Sequence, residues 1–357
     1  MNLAETITVD LRASSCEPAA QVEIPRRVGN VRINDLLGRG ATGVVHAGFD
    51  EVLNRRVAVK ILSQRIEPGE NPLDSVMVAG VRAAARLRHP NIVGVHHVEV
   101  VDRVPIIVME FVDGPALSAI LQKDTGLDAT LAVYALRKIA DGVAGLHENH
   151  IVHRDLKPAN VMYDRRGNCF VCDFGLACQI AMTARSINDE RIAGSPLYMS
   201  PESFEGRISP QSDVYALGAM LFDLLCGGPP FNATTIEEIQ KLHSEADVPL
   251  HRLLAKGVSE ELCEIVARAM HKQRIMRFKT AAHLNRALAV FPPTKAAEIR
   301  EQEKLIKLIN QPRDATAEAK PTNASLADSP GNTFDLLAQR AKRKRASLDA
   351  SGELPAE

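Results

Sequence analysis

Two hydrophobic periods follow one another along this chain, and their order limits its fold more than any other feature. From Val31 to about Val112 the apolar residues come in short β-branched runs bounded by turns: Val44-Val45, Val57-Ala58-Val59, Val95 to Val101 and Ile106-Ile107-Val108. One helical stretch, about Leu73 to Leu87, interrupts them. From Pro115 to Pro293 the spacing turns helical. Leu131, Ala135, Leu136, Ile139, Val143 and Leu146 recur on one face, as do Tyr215, Leu217, Leu221 and Leu224. A β-rich lobe over 31–112 followed by a helical lobe over 113–293 predicts an α+β, two-lobed protein with a cleft between the lobes. No solenoid or propeller period is present.

The flanks read differently. Residues 1–30 show no sustained period and contain Ser14, Ser15, Pro18 and Pro25, which predicts a flexible leader. Over 294–357 a charged helix is expected first, with Ile299, Leu305, Ile306, Leu308 and Ile309 available for one face, then a disordered basic tail. This region, 294–345, offers surface for a partner or for self-association. Its Lys342-Arg343-Lys344-Arg345 run reads as a solvated tail rather than a localisation signal.

Composition narrows the class. With 43 Lys+Arg against 44 Asp+Glu, no Trp and 4% aromatics, the chain is a poor match for nucleic acid or an anionic membrane. No run approaches the roughly 18 apolar residues of a membrane span. Glu5 and Asp10 interrupt the N-terminus, which lacks the basic-then-apolar order of a secretory signal. Six Cys without such a signal suit reduced thiols, and a cytoplasmic location is expected. Cys169 and Cys172 form a C-x-x-C without a second ligand pair at suitable spacing, so no zinc site is expected.

Three motifs carry chemistry. The first is Gly38-Arg39-Gly40-Ala41-Thr42-Gly43-Val44-Val45, after the strand-like Val31 to Leu37. Glycines let backbone approach phosphate oxygens closely. A dinucleotide-binding turn would run into a helix. Here the pattern continues as strand, then Val57-Ala58-Val59-Lys60, which favours a glycine hairpin over a nucleotide with Lys60 reaching its phosphates. The second motif is His153-Arg154-Asp155-Leu156-Lys157-Pro158-Ala159-Asn160, and the third is Asp173-Phe174-Gly175. Phosphoryl transfer needs an acceptor for the attacking hydroxyl's proton, oxygen ligands for Mg²⁺ and a cation beside the transferred group. Asp155, the pair Asn160 and Asp173, and Lys157 supply these in order.

With these motifs the chain, over Val31 to Pro293, resembles the eukaryotic-type Ser/Thr protein kinases that are also widespread in bacteria. The resemblance implies the bilobal kinase fold, ATP and Mg²⁺ as ligands, and protein Ser/Thr hydroxyls as substrates. It implies that Leu37 and the glycine hairpin (Gly38, Arg39, Gly40, Ala41, Thr42, Gly43, Val44) cover the nucleotide. Val45 and Ala58 would lie above the adenine and Met162 below it. Met109 would gate the pocket, while the backbone of Glu110 and Val112 would meet the adenine edge. Asp155 would be the catalytic base, with Lys157 and Lys60 as catalytic cations and Asn160 and Asp173 as metal ligands. Gly194 to Glu202 resembles the end of the activation loop, Asp213 the brace of the catalytic loop, and Arg277 the partner of Glu202. Arg154 resembles the arginine of kinases switched by loop phosphorylation, with Thr183 and Ser186 as candidate sites.

One position departs from the pattern. The family's helix glutamate, partner of the strand lysine, should lie nine residues before His89, and that position is Gly80. A nucleotide-binding scaffold with weak or no transfer is therefore an alternative, and a small-molecule kinase a third. The Tyr198 to Glu202 segment and Lys157 favour protein substrates.

Overall fold

The computed structural model describes residues 6–11, 20–40, 42–63, 65–66, 69, 76–121, 125–173, 178–179, 195–291 and 295–311. The N-terminal lobe is a six-stranded antiparallel sheet of order β3-β4-β5-β6-β8-β7: β3 (Arg27–Val28), β4 (Val31–Gly40), β5 (Gly43–Asp50), β6 (Arg55–Leu62), β7 (Val95–Val101) and β8 (Val104–Glu110). Side chains alternate across β6. Val57, Val59 and Ile61 join Val104, Ile106 and Val108 in one core, while Ala58 and Leu62 face the other side of the sheet. There Val81 of the helix α1 (Val76–Ala84) packs on Leu62 and Ile107.

Helix α1 is shorter than the stretch expected over 73–87; residues 70–75 lie outside the described part. Gly80 sits in its middle, where glycine costs about 1 kcal/mol relative to alanine. The N-terminal segment also differs from the flexible leader expected there. β1 (Thr6–Leu11) pairs antiparallel with β2 (Ala20–Pro25), and β3 extends the main sheet.

After α2 (Leu117–Ile120), the C-terminal lobe is built on two long helices, α3 (Ala129–Glu148) and α4 (Pro210–Cys226). The Asp128 side chain caps α3 by accepting Leu131 N–H at 3.1 Å. Pro210 opens α4 and Gly227, at φ 73°, closes it. All ten apolar residues singled out for the helical faces lie on these two helices and are buried. Helices α5 (Ile236–Glu245), α6 (Leu250–Leu254), α7 (Glu260–Ala269) and α8 (Ala281–Leu288) complete the lobe. Between the lobes run β9 (Ile151–Val152), β10 (Val161–Tyr163), β11 (Cys169–Val171) and β12 (Cys178–Gln179) in two small antiparallel pairs, β10 with β11 and β9 with β12.

The charged helix expected after Pro293 is α9 (Lys295–Ile309), and it folds back onto the C-terminal lobe. Leu305 and Ile309 are buried in the main core, Glu298 meets Arg137 at 2.9 Å, and Asn310 donates to the Arg165 carbonyl at 3.1 Å. The apolar face read as a partner surface is thus largely covered by the chain's own lobe; Ile299 alone of the five is exposed. The basic run at 342–345 lies outside the described residues. None of the described helices is long and apolar enough to cross a membrane.

Candidate active site

The glycine hairpin is the turn joining β4 to β5, with Gly38 opposite Val45 and Gly40 opposite Gly43. Gly43 has φ 150°, and a Cβ there would lie 2.1 Å from the Ile61 carbonyl oxygen, so only glycine lets β5 run this close to β6. Ala41 lies outside the described residues. The hairpin brings Thr42 over Lys60, which projects from the cleft-facing side of β6 and is buried. Lys60 Nζ donates to Thr42 Oγ1 at 2.6 Å and forms an ion pair with Asp173; the Thr42 hydroxyl in turn donates to the second Asp173 oxygen at 3.3 Å.

The second motif forms a loop from β9 into a single turn of 3-10 helix, Pro158–Asn160, and then β10. Asp213, buried near the start of α4, fastens it. Its carboxylate accepts His153 N–H at 2.9 Å, Arg154 N–H at 3.1 Å and the imidazole of His147 at 2.9 Å. Arg154 is thereby held at φ 73°, a conformation a side chain rarely adopts without such an anchor. Asp155 N–H donates to His153 Nδ1 at 3.3 Å, so His153 Nε2 carries the proton and donates to the Cys172 carbonyl at 2.9 Å. Cys172 N–H donates to the Asn160 carbonyl at 3.0 Å. These two bonds tie the residue before Asp173 to the loop bearing Asp155 and Asn160. They place Asp173, at φ 69°, beside the second motif.

Within the loop, one Asp155 oxygen is fully engaged. Oδ2 accepts Asn160 Nδ2 at 2.9 Å and lies 2.9 Å from Lys157 Nζ. The other oxygen, Oδ1, is buried and has no hydrogen-bond partner among the described residues. An unpaired buried carboxylate oxygen is costly, so Oδ1 is the Asp155 atom with acceptor capacity for a further donor. Lys157 also donates to Ser195 Oγ at 2.6 Å, which joins the end of the activation loop to the same centre.

On the adenine side, Ala58 and Met109 are buried in one cluster, against which Val45, Val112 and Cys172 pack. Glu110 N–H is spent on the Gly94 carbonyl at 2.8 Å, so its carbonyl is what it offers a ligand. The Val112 carbonyl accepts Gly114 N–H at 3.1 Å, so its N–H is what it offers. Met162 is half-buried on β10, where its backbone bridges to Ala116. Burial, with a smaller push from the Asp173 charge, raises the Cys172 thiol to about 12, so it stays protonated and apolar beside the pocket. Cys169 is buried in β11, and among the described residues no group of three His, Cys, Asp or Glu could hold a metal.

Below the cleft, Glu202 and Arg277 form a buried bidentate pair at 2.7 and 2.8 Å. Ser212 donates to Glu202 at 2.9 Å. Tyr198 donates to Asp223 at 2.6 Å. Burial pushes the Asp223 carboxyl up, against the opposing pull of the Tyr198 hydrogen bond. Thr183, Ser186, Phe174, Gly175 and Gly194 lie outside the described residues. The structure adds to the sequence reading the Thr42 side chain, His147 and Asp223. His147 and Asp223 interrupt otherwise apolar helical faces, a signal of buried polar groups with fixed partners.

The nucleotide and metal expected here fit what is present. Asp155 Oδ1 is a buried acceptor without a partner among the described residues. Asn160 spends its amide N–H on Asp155, which turns its oxygen to other use, and Asp173 supplies a carboxylate. Two hard oxygen donors, with phosphates and water making up the rest, suit Mg²⁺.

Comparison with known proteins agrees with this geometry. The family model of the protein kinase domain matches residues 31–288. The chain is 32% identical to the serine/threonine-protein kinase PrkC of Bacillus subtilis over 79% of its own length and 44% of PrkC. It is 32% identical to the serine/threonine-protein kinase PknB of Mycobacterium leprae, covering 73% of the chain and 42% of PknB. It is 35% identical to the serine/threonine-protein kinase PksC of Streptomyces coelicolor, covering 71% and 47%. The chain spans less than half the length of these curated relatives. The match over 31–288, with the β-sheet lobe, helical lobe and ordered motifs, makes the chain a member of the protein kinase family.

Proposed function

We propose that the chain is a cytoplasmic protein kinase that transfers the γ-phosphoryl group of ATP to Ser/Thr hydroxyls of protein substrates, with Asp155 as the base. The observation that carries this reading is the Asp155 carboxylate itself: Oδ2 clamped by Asn160 and Lys157, Oδ1 buried and open to a donor. A substrate hydroxyl at Oδ1 is oriented by its hydrogen bond. As its oxygen forms the new bond to the γ-phosphorus, the bond from that phosphorus to the bridging oxygen breaks and ADP departs. The hydroxyl proton passes to Oδ1.

Lys157, 2.9 Å from the same carboxylate, places positive charge beside the transferred group, and Lys60 does so for the phosphates behind it. Asn160 and Asp173 would hold Mg²⁺, which when bound neutralises charge on the phosphate oxygens. Leu37, the hairpin from Gly38 to Val45, Ala58, Met162 and the backbone at Glu110 and Val112 would enclose the nucleotide. Gly80, with the surface after Pro293, is the ground for the scaffold alternative, and Lys60 is nonetheless paired with Thr42 and Asp173.

The test is incubation of wild type and Asp155→Asn with Mg²⁺ and γ-labelled ATP, followed by phosphoamino-acid analysis. Label on Ser or Thr that depends on Asp155 is the expected outcome. Equal incorporation in both proteins would remove Asp155 from the chemistry.

A further inference from the structure

Helix α1 spans Val76–Ala84 and contains no acidic residue, so it holds no carboxylate for Lys60. Among the described residues the polar partners of Lys60 are Thr42 and Asp173. An ammonium held away from water depends on the acceptors within reach of its three N–H donors. Asp173 is also a proposed metal ligand, so its hold on Lys60 would weaken with a cation bound. Thr42 is neutral and sits on the hairpin that would cover the phosphates. Its hydroxyl accepts from Lys60 at 2.6 Å and donates to Asp173 at 3.3 Å, a use of both its acceptor and its single donor.

We propose that the Thr42 hydroxyl is the positioning group for Lys60, the role an acidic residue at position 80 would otherwise fill. Thr42 acts through Lys60 and not on the nucleotide directly. Closure of the glycine hairpin and placement of the lysine on the phosphates are then one event. Affinity for the triphosphate depends on a side chain of the hairpin as well as on its backbone. The inference rests on the kinase reading for the use of Lys60, and a binding measurement separates the two.

The experiment is calorimetric titration of the full chain with Mg-ATP, with ATP in EDTA, and with adenosine. Wild type is compared with Thr42→Val, Thr42→Ser, Lys60→Met and the Thr42→Val/Lys60→Met double variant. Thr42→Val removes the hydroxyl at constant shape and is expected to weaken both ATP titrations about tenfold, the effect of one hydrogen bond to a charged group. Adenosine affinity stays as in wild type, because the adenine side is untouched. Thr42→Ser keeps the hydroxyl and the affinity.

In the Lys60→Met background, Thr42→Val adds nothing further. Three results would overturn the proposal: wild-type ATP affinity in Thr42→Val, an equal loss for adenosine, or the full Thr42→Val effect without Lys60. ATP binding by wild type without any transfer would count against the kinase reading alone.

Discussion

Arg277 grips the Glu202 carboxylate through two parallel hydrogen bonds, Nη1 to Oε1 at 2.7 Å and Nη2 to Oε2 at 2.8 Å, in a site closed to water. Glu202 follows the Ser195 to Met199 segment that reaches Lys157, so this pair anchors the floor of the cleft to the helical lobe. The remaining donors of Arg277 go to the His271, Lys272 and Gln211 carbonyls. Replacing Arg277 by Met leaves a buried carboxylate without its partner and is expected to cost about 3–5 kcal/mol. Lysine cannot reproduce the fork and recovers little of this. Urea unfolding of Arg277→Met and Arg277→Lys measures both losses; a change within about 0.5 kcal/mol would be a surface-like result that contradicts the assignment.

Acid should unfold the protein through two groups near this floor. His243 is enclosed by Phe204, Tyr215 and Phe231, and burial, aided by the Lys272 charge, lowers it from 6.5 to about 3. Between those values the unfolded chain binds a proton that the folded chain refuses. Stability therefore falls as pH drops below about 6.5, by ~1.4 kcal/mol per pH unit for one such group. Glu202 is opposed by its burial, but the Arg277 and Ser212 hydrogen bonds win and hold it below its ordinary 4.5. Its contribution is present above that value and is lost on further acidification. Thermal unfolding from pH 7 to 4 should show a declining Tm, and a flat profile down to pH 4.5 would exclude the His243 part.

The lobes were legible in the sequence, as was the set of side chains that the structure gathers at the cleft, because both depend on local pattern. β-branched runs and helical stripes report burial, and Asp155, Asn160 and Asp173 carry spacing that few folds need. The seat of Leu305 and Ile309 was not legible. An amphipathic helix shows that it has a partner face, without showing whether that partner is its own lobe. The Thr42 contact was hidden for a related reason: a hydroxyl in a glycine turn has no period, and its partners are 18 and 131 residues away.

Helix α9 lies beyond the family-matched region but belongs to the fold. Leu305 is fully buried in the main core, and Ile306 fits where Gly167 has no side chain: a Cβ there would lie 2.9 Å from Ile306 Cγ1. Leu305→Ala should cost about 2–5 kcal/mol, whereas Ile299→Ala, on the exposed face, should be within about 0.5 kcal/mol. Comparable small effects from both in denaturant melts would mean that the helix is not docked.

The catalytic loop should depend on Asp213 for geometry and on Asp155 for chemistry. Asp213→Ala releases His153, Arg154 and His147 together, and leaves Arg154 without the anchor for its positive φ. Both transfer and folding stability should fall, read by a labelled-ATP assay beside a thermal melt. Loss of neither would contradict the bracing role.

The most direct test is intact-protein mass spectrometry after timed incubation with Mg-ATP, wild type beside Asp155→Asn, with ATP affinity measured on both. Removing the base should slow phosphate addition about 10²–10⁴-fold while ATP affinity stays within about threefold. Phosphate addition at the same rate in both proteins would contradict the assignment of phosphoryl transfer to this site.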